Sequence, residues 1–448
     1  MTGNEGSIRR VLLIVLFLAL MVAPSGHTET LVSGAITANT TWTLAGSPYR
    51  VTGNVTVNQG VTLTIDAGVR VEFNQYTVMN VNGELRAIGT SAQSIRFTGA
   101  TEGDTGWWAG IRLIGSGSAA LEHCTIAYAG YSYNDAGLYK SGSGALTLAS
   151  TTLDHSDGAG LYLDGHTGAV TSSGNLFSNN ARGVQVAINT SFQHDDTSTF
   201  TGNTYDVYLN GGTMSGVVSW YLNPAYSMYL SENMTVAAGA ALRVLPGTVV
   251  KAAQYQILTI QGSLEARGEA AKPIVFTDRR DDASGGDANG DGNQTAPSPG
   301  WWAGISVTGS GSADLEYCTL AYAGYSYKNA GVYKSGSGTL TLESTTQDHS
   351  SGAGLYLEGH TGVLTSSGNL FSNNARGVQV AINTSFQHDD TSTFTGNGSD
   401  VYLNGGTISG EVSWYLNPAY SMYLSGSITE SLAGVLRVLP GTVVKAAP

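Results

Sequence analysis

The sequence predicts an all-β solenoid: a parallel β-helix, duplicated in tandem and arranged as a single continuous stack. Two kinds of internal repeat lead to this fold class. The first is long, because whole strings of residues recur 194 positions later in the 448-residue chain. These strings are GWWAGI at Gly106 and Gly300, TSFQHDD at Thr190 and Thr384, and SWYLNPAYSMYL at Ser219 and Ser413.

The second repeat is short and indicates the length of one coil. The strand-like pentapeptides AGIRL, AGLYK, AGLYL, RGVQV and YDVYL follow at steps of 27, 23, 23 and 23 residues, and the later copy keeps these steps. Units of this length, made of short strands and turns without helical periodicity, are typical of β-solenoid coils. The second residues of the pentapeptides are Gly110, Gly137, Gly160, Gly183 and Asp206, then Gly304, Gly331, Gly354, Gly377 and Asp400.

The long repeat defines the domain organisation. Ile95 matches Ile274 at an offset of 179, whereas later residues match at 194, so the second copy holds 15 extra residues between Asp278 and Pro299. We assign a signal peptide to 1–26 and a β-helix to 27–448, with copy one at 41–218, copy two at 219–412 and a partial third copy at 413–448.

Stacked coils place like side chains above one another, about 4.8 Å apart. Alternation along each strand then selects the inward residues. Phe177 and Phe200 are 23 residues apart and should stack inside the core. Cys124 and Cys318 hold the same place in the two copies, several coils apart, so we predict buried free thiols rather than a disulfide. The other inward residues are predicted to be Leu161, Leu163, Val184 and Val186.

Several segments resemble the right-handed β-helix repeat proteins of the pectin-lyase-like superfold. They are VTVNQGVTLTIDAGVRVEF, LEARGEAAKPIVFTD, GWWAGI and GNLFSNNARGVQV, and the resemblance covers nearly all of the chain after residue 26. It implies a right-handed β-helix of the bacterial extracellular type. It does not select a function, because that fold hosts lyases, hydrolases, adhesins and passive stalks.

Composition and the N-terminus indicate a secreted protein. Arg9 and Arg10 precede an apolar run, Val11 to Ala23, which is too short to span a bilayer comfortably and is broken by Pro24. No later apolar stretch is long enough for a membrane span. The net charge of −13 excludes nucleic acid as a partner, because phosphates would repel the chain.

The insertion DDASGGDANGDGN (281–293) contains the strongest candidate site. Its oxygen-bearing residues alternate and are followed by Gly292, an arrangement that lets them converge on one Ca²⁺. The twelfth position holds Ser298 instead of Glu, so this is not an EF-hand; the alternative is a solvated acidic loop. The predicted ligands are Asp287, Asn289, Asp291 and the carbonyl of Asn293, with Asp281 or Asp282 as an additional ligand.

Outward tyrosines of the pentapeptides form a second candidate site, which we call the tyrosine column. Flat aromatic rings on one sheet face can bind sugar rings, and the loop residues Tyr128, Tyr131 and Tyr133 would extend that surface. The alternative is a structural ladder in which tyrosine packs on tyrosine. The column consists of Tyr139, Tyr162, Tyr208, Tyr333, Tyr356 and Tyr402.

Acids beside histidines form the third candidate. Paired acids next to a histidine can perform acid–base chemistry, but carboxylates adjacent in sequence do not face each other across a sugar. The resemblance implies NTD, DD, GHG and RIK motifs for a pectin-degrading hydrolase, and only HDD matches in part. We therefore assign no catalytic residue. The acids are Asp154, Asp195, Asp196, Asp348, Asp389 and Asp390, with His155, His194, His349 and His388 beside them.

Together these features favour a non-catalytic secreted or cell-surface scaffold that binds a polysaccharide or cell-envelope glycan. Duplication doubles weak sites and so raises avidity. The alternative is a polysaccharide lyase or glycoside hydrolase of the same fold. We also expect the chain to continue beyond Pro448, because it stops early in the third copy and a bare solenoid end exposes its core.

Overall fold

The computed structural model describes residues 29–131, 135–326 and 328–446. These residues form 49 strands and one 3₁₀ turn, Leu44–Gly46, and the paired strands run parallel. No helix among them has the length and apolar character needed to cross a membrane. The prediction of an all-β, right-handed parallel β-helix in one stack is confirmed. The predicted signal peptide (1–26), Tyr133 and Pro448 lie outside the described residues.

The strands are arranged in seven stacks, in which each strand pairs with the equivalent strand of the next coil. Stack 1 contains β1 (Thr30–Ile36), β3 (Tyr49–Val57), β5 (Arg70–Phe73), β8 (Ile95–Gly99), β11 (Cys124–Ala127), β14 (Thr152–Asp154), β17 (Leu176–Ser178) and β20 (Thr199–Thr201). Stack 2 starts at the end of β3 and continues through β6 (Met79–Val81), β9 (Ile111–Leu113), β12 (Ala136–Lys140), β15 (Ala159–Leu163), β18 (Arg182–Val186), β21 (Tyr205–Leu209), β24 (Met228–Leu230), β27 (Val249–Ala252), β30 (Ile274–Asp278), β33 (Cys318–Ala321), β36 (Thr346–Asp348), β39 (Leu370–Ser372) and β42 (Thr393–Thr395). Stack 3 contains β2 (Thr40–Trp42), β4 (Thr62–Ile65), β7 (Glu84–Ile88), β10 (Ser118–Glu122), β13 (Leu146–Ala149) and β16 (Val170–Ser173).

The remaining stacks belong to the second half of the chain. Stack 4 contains β22 (Gly212–Met214), β25 (Met234–Val236), β28 (Ile257–Ile260), β31 (Gly304–Val307), β34 (Ala330–Gly336), β37 (Ala353–His360), β40 (Arg376–Val380), β43 (Val401–Leu403), β46 (Met422–Leu424) and β49 (Val444–Ala446). Stack 5 contains β19 (Phe192–Gln193), β23 (Val217–Tyr221), β26 (Ala241–Val244), β29 (Ser263–Arg267), β32 (Ser312–Glu316), β35 (Leu340–Glu343) and β38 (Leu364–Ser367). Stack 6 contains β41 (Phe386–Gln387), β45 (Glu411–Tyr415) and β48 (Val435–Val438), and stack 7 contains β44 (Gly406–Ile408) and β47 (Ile428–Glu430).

The two copies share one stack but differ in rotational position around it. Stack 2 passes from copy one into copy two without interruption, because Val207 pairs with Met228 and Met228 with Val250. The strand MYL occurs twice: β24 lies in stack 2, whereas its repeat β46 lies in stack 4, the next stack along each coil. One copy therefore spans seven coils and one further strand position, so equivalent residues point away from different sides of the rod.

The core contains the side chains that the short repeat predicts. Leu161, Leu163, Val184 and Val186 are all buried. The rings of Phe177 and Phe200 stack with their centroids 5.0 Å apart and their planes within 15°. The glycines of the pentapeptides make room for such rings: a Cβ added at Gly183 would lie 2.6 Å from Phe200 Cδ1.

Both cysteines are buried and free, as predicted. The sulfur of Cys124 lies 3.3 Å from the carbonyl oxygen of Ala87. Burial raises the pKa of the Cys124 thiol to about 12, and burial also raises the pKa of the Cys318 thiol. These thiols therefore stay protonated and serve as small apolar side chains.

Polar side chains in the turns connect successive coils. Asn175 is 1% exposed; its Oδ1 accepts from the backbone NH of Thr151 (3.0 Å) and its Nδ2 donates to the carbonyl of Leu148 (2.9 Å). Its own backbone NH donates to Oγ of Ser198 in the next coil, at 2.9 Å. Asn369 makes the same contacts in copy two. Without these side chains, buried backbone groups of the turns would lack partners.

We expect Asn175→Ala to lower the free energy of unfolding by about 1–3 kcal/mol for each buried backbone group left without a partner. Urea denaturation followed by circular dichroism would measure the change. Asn189→Ala is the matched control, because the hydrogen bond that Asn189 accepts from Ser215 NH is exposed. Equal stability losses in the two variants would contradict the structural role of Asn175.

Candidate functional site

The insertion brings three carboxylates together. Ligand oxygens of Asp282, Asp287 and Asp291 all lie within 4.8 Å of one another. Two oxygens here, Asp282 Oδ1 and Asn289 Oδ1, are buried and accept no hydrogen bond. Two of the predicted ligands, Asp287 and Asp291, are therefore in the cluster, and Asn289 presents an unpartnered oxygen within the same loop.

Asn293 and Asp281, the other residues considered as calcium ligands, have different surroundings. Asn293 is exposed, with a positive φ of 69°. Asp281 accepts a 2.8 Å hydrogen bond from Oγ1 of Thr277, which ties it to strand β30 rather than to the cluster. Asp282 is thus the additional acid of the loop that joins the group.

Mutual repulsion is the main electrostatic feature of this cluster. Burial raises the pKa of Asp282, and the charge of Asp287 raises it further. Lys251 is buried beside the loop and donates a hydrogen bond to the Gly286 carbonyl oxygen. Asp287 accepts from the backbone NH groups of Gly290 (2.7 Å) and Gly292 (2.8 Å), which shapes the turn. A divalent cation bound by these oxygens would relieve the repulsion.

The base of the insertion is anchored to the coil. The Asp278 side chain is fully buried, and Arg280 Nη2 lies 2.6 Å from its Oδ2. The Arg280 guanidinium also lies 3.6 Å from the ring centroid of Trp301. The loop is therefore presented by a fixed ion pair and a cation–π contact, which limits its movement relative to the rod.

The tyrosine column is largely covered. Tyr139, Tyr333 and Tyr356 are each 8% exposed, and the other three, Tyr162, Tyr208 and Tyr402, are half-buried. Tyr139 and Tyr162 meet edge to face, with centroids 5.5 Å apart and planes at 77°. This geometry is that of the ladder alternative, in which the rings pack on one another.

The rings of the column also make hydrogen bonds and cation–π contacts. The Tyr139 hydroxyl donates to Asp164 Oδ2 at 2.7 Å; burial, followed by this contact, raises the pKa of Tyr139 to about 12. Arg182 lies 4.7 Å from the centroid of Tyr208, and Arg376 lies 4.3 Å from that of Tyr402. Much of each ring face is thus already in contact with other side chains.

Two pairs of exposed tyrosines lie outside the column, and of their four members only Tyr131 was named from the sequence as part of a sugar-binding surface. Tyr76 pairs with Tyr131, and Tyr255 pairs with Tyr325 at the equivalent position of copy two; we call them the outer tyrosine pairs. Their ring centroids are 4.3 and 4.2 Å apart. Tyr76 and Tyr255 each follow a glutamine in matching turns of the two copies, and this repeated pair of residues is the signal in the sequence that marks them.

The acids beside histidines are used by the turns. Asp195 accepts five hydrogen bonds: one from Ser172 Oγ in the preceding coil and four from the backbone NH and hydroxyl groups of Thr197 and Ser198. These bonds lower its pKa despite burial, which acts in the opposite direction. Asp389 has the same five donors in copy two.

The histidine and the other acids of these turns are also hydrogen-bonded to protein groups. His194 is buried; its Nδ1 accepts from the backbone NH of Asp196 and its Nε2 lies 3.0 Å from the Ser198 carbonyl oxygen. Asp196 accepts from the Tyr221 hydroxyl at 2.7 Å. Asp154 accepts from Ser178 Oγ at 2.7 Å, and Asp348 accepts from Ser372 Oγ at the same distance. The carboxylates thus fasten one coil to another, whereas the His194 ring stabilises its own turn.

A cavity of about 460 Å³ opens where β16 of stack 3 and β19 of stack 5 are not paired with each other. Its walls combine apolar side chains such as Leu161 and Phe177 with polar ones such as His166 and His194, and Asp195 is the one carboxylate among its lining residues. It therefore lacks the pair of facing carboxylates that glycoside hydrolysis requires.

One comparison, with a protein-family model, agrees with the fold. Residues 34–141 match the family model described as "Pectate-lyase like beta helix domain". No curated protein sequence matches the chain. Two solved structures are similar at 13% identity: the Agl-KA catalytic domain, with a TM-score of 0.26 over 87% of this chain and 63% of that one, and the TibC-catalyzed hyper-glycosylated TibA55-350 fragment, with 0.20 over 88% and 98%.

Titration of Asp389 provides a test of its structural role. Burial alone would raise its pKa, but hydrogen bonds led by those from Ser366 and Ser392 lower it to about 2 from 3.8. A lowered folded-state pKa stabilises the protein above pH 3.8, and this contribution is lost as the pH falls from about 4 to 2. We expect Asp389→Asn to be less stable than the wild type at pH 7, with a smaller decrease in stability over that acidic interval. Parallel decreases in urea titrations at pH 4 and pH 2 would contradict this.

Proposed function

We propose that this pectate-lyase-like β-helix protein is a secreted or cell-surface scaffold that binds polysaccharide or cell-envelope glycan without cleaving it. One observation carries the proposal: Asp195 and Asp389, the equivalent acids beside a histidine in the two copies, accept five hydrogen bonds apiece, four from their own turn and one from the preceding coil. A general acid or base must exchange a proton near the working pH, whereas these carboxylates are held ionised. These matching acids therefore serve the stack.

The tandem arrangement supports binding rather than turnover. Two equivalent copies on one continuous rod offer two equivalent surfaces, and joining two weak sites raises the overall affinity without any new contact. The proposed localisation, outside the cell, rests on the N-terminal basic and apolar segment and on the acidic composition. It also places the protein where polysaccharides occur.

The binding proposal is tested by retention together with product release. We expect the full secreted chain to be retained on one or more of insoluble cellulose, chitin, mannan and peptidoglycan, with no reducing ends and no unsaturated products released. Asp195→Asn/Asp389→Asn should be retained equally. Product release that this double variant abolishes would establish the enzyme alternative and overturn the proposal.

We further propose that the insertion binds one Ca²⁺ as a structural ion. The donors fit a hard cation, because three carboxylates converge and two buried oxygens, Asp282 Oδ1 and Asn289 Oδ1, have no hydrogen-bond partner. The ligands would be Asp282, Asp287, Asn289 and Asp291, with the Asn293 carbonyl as the remaining predicted donor. The ion would supply charge neutralisation and fix the loop against the rod.

Calorimetry with Ca²⁺ tests this site. We expect the wild type to bind one ion and Asp287→Ala/Asp291→Ala to bind none. Ca²⁺ should raise the thermal unfolding temperature of the wild type alone. At a Ca²⁺ concentration 100 times Kd the stabilisation would be about 2.7 kcal/mol. Asp104→Asn is the matched control, because Asp104 is an exposed acid in the shorter loop at the equivalent point of copy one. Equal uptake by the wild type and the double variant would rule the site out.

A further inference from the structure

We infer that each outer tyrosine pair is a platform for a pyranose chain and that the pair in copy two, together with the cleft beside it, forms the stronger site. This inference rests on the proposed function, because it locates the surface through which the scaffold would bind glycan. The four rings are the described tyrosines whose faces remain the most accessible. Tyr76 is 55% exposed, Tyr131 43%, Tyr255 50% and Tyr325 42%.

The geometry of the pairs suits a sugar ring. Within each pair the rings lie against each other, with centroids 4.3 or 4.2 Å apart and planes inclined by 39° or 34°, so a sugar can reach only the outer faces of the pair. The face of an aromatic ring carries negative potential and therefore attracts the weakly positive C–H groups on the flat side of a pyranose. The tyrosine column offers less of such surface, because Tyr139, Tyr333 and Tyr356 are each only 8% exposed.

A rigid support holds the outer pairs. The backbone NH groups of Tyr255 and Tyr325 donate to the carbonyl oxygens of Trp301 (2.8 Å) and Trp302 (3.0 Å). Tyr76 and Tyr131 donate in the same way to the tryptophan pair of copy one. Trp302 is itself buried, and its Nε1 donates to the Ala321 carbonyl. Because the tyrosine backbones are fixed before a ligand arrives, less ordering entropy is lost on binding.

Backbone strain supports a role for the aromatic side chains. Tyr76 has a φ of 67° and Tyr255 a φ of 69°, in the left-handed region where glycine or asparagine is less strained. A bulky residue in that region costs on the order of 1–3 kcal/mol. Both copies nevertheless place tyrosine at this turn.

The copy-two pair adjoins a cleft whose lining suits sugar hydroxyls. Its volume is about 330 Å³, within the range of small-ligand pockets (~300–1,000 Å³), and its polar walls include Asn233, Thr259 and Ser326. Asn233 Oδ1 accepts from the backbone NH of Ile257 at 3.0 Å, which fixes the amide and leaves its NH₂ as the donor for a ligand. Two rings beside amide and hydroxyl groups match the apolar and polar faces of a pyranose.

Each copy holds a cation over the corresponding tyrosine of the column. Lys328 lines the copy-two cleft, and its ammonium group is positioned 2.7 Å from Ser306 Oγ and 4.5 Å from the Tyr333 ring centroid. In copy one Asn134 holds the place of Lys328, but Arg112 holds the place of Ser306, and its guanidinium lies 5.6 Å from the Tyr139 ring centroid. The Lys328 cation attracts a sugar carboxylate, so the copy-two cleft should accept an acidic pyranose.

The two platforms are separated along and around the rod. Tyr76 lies between β5 of stack 1 and β6 of stack 2, whereas Tyr255 lies between β27 of stack 2 and β28 of stack 4. Seven coils separate β6 from β27 along stack 2, which is about 34 Å at ~4.8 Å per coil. Since the platforms occupy different corners of the coil, they act as two independent sites that can hold two separate glycan chains.

Calorimetry on the full chain tests the inference, with cellohexaose, mannohexaose and a mannuronate hexamer as probes. We expect the wild type to bind two equivalents of at least one probe. Tyr255→Asn/Tyr325→Ala and Tyr76→Asn/Tyr131→Ala should each bind one, and the variant that combines all four changes should bind about 10- to 100-fold more weakly. Asn is used at the strained positions because it tolerates positive φ.

Three further measurements make the outcomes decisive. Tyr255→Phe/Tyr325→Phe should retain binding, because the ring faces remain. Lys328→Asn should weaken binding of the mannuronate hexamer while leaving the neutral probes unchanged. By circular dichroism no variant should melt at a lower temperature than the wild type. A fourfold tyrosine variant that binds as the wild type does would overturn the site and leave the proposed function standing, whereas a wild type that binds none of the probes and none of the insoluble polysaccharides would overturn both.

Discussion

The structure depends on hydrogen bonding between adjacent coils. A single coil leaves its backbone NH and C=O groups unpaired along every strand, and only the next coil supplies their partners. The turns obey the same constraint through side chains, as Asn175 shows by pairing with Thr151 NH and the Leu148 carbonyl. Because each coil completes its neighbours, a change at one turn affects the coils on both sides, and polar residues in turns are selected for stacking before anything else.

This constraint explains why the most suggestive polar residues are poor candidates for chemistry. A carboxylate beside a histidine at a turn resembles part of a catalytic site in sequence, but in the stack Asp195 reaches the hydroxyl of Ser172 one coil away. Side chains that are not used to hold the coils together are found in two other places. They occur in the insertion, where Asn289 Oδ1 has no partner, and at the corners above the tryptophan pairs, where Tyr255 is half exposed.

Much of the fold was predictable from the sequence, because a solenoid repeats its own local rules. The spacing of Phe177 and Phe200 predicted their stacking, and the matching positions of Cys124 and Cys318 predicted two buried thiols. The clustering of Asp287 with Asp291 followed from alternate spacing in one loop. The burial of the tyrosine column could not be predicted in this way. Alternation along a strand separates inward from outward residues, but it does not identify neighbours such as Arg182 that cover an outward ring.

The outer tyrosine pairs were missed for a related reason. Tyr76 and Tyr131 are 55 positions apart and meet only because the chain returns to the same corner after two coils. Contacts of this kind depend on loop lengths that differ from coil to coil. The rotation between the copies escaped detection as well, because it depends on how many strands a copy contains and not on which residues fill them.

That rotation gives the duplication a geometric meaning. If one copy contained a whole number of coils, equivalent surfaces of all copies would lie in one row on the same side of the rod. This repeat closes one strand position late, so successive copies follow a screw path. An insertion or deletion that changed the number of strands in a copy would change the azimuth between equivalent surfaces without altering any of their residues. The number of strands in a repeat therefore determines the angle around the rod axis between equivalent surfaces of successive copies.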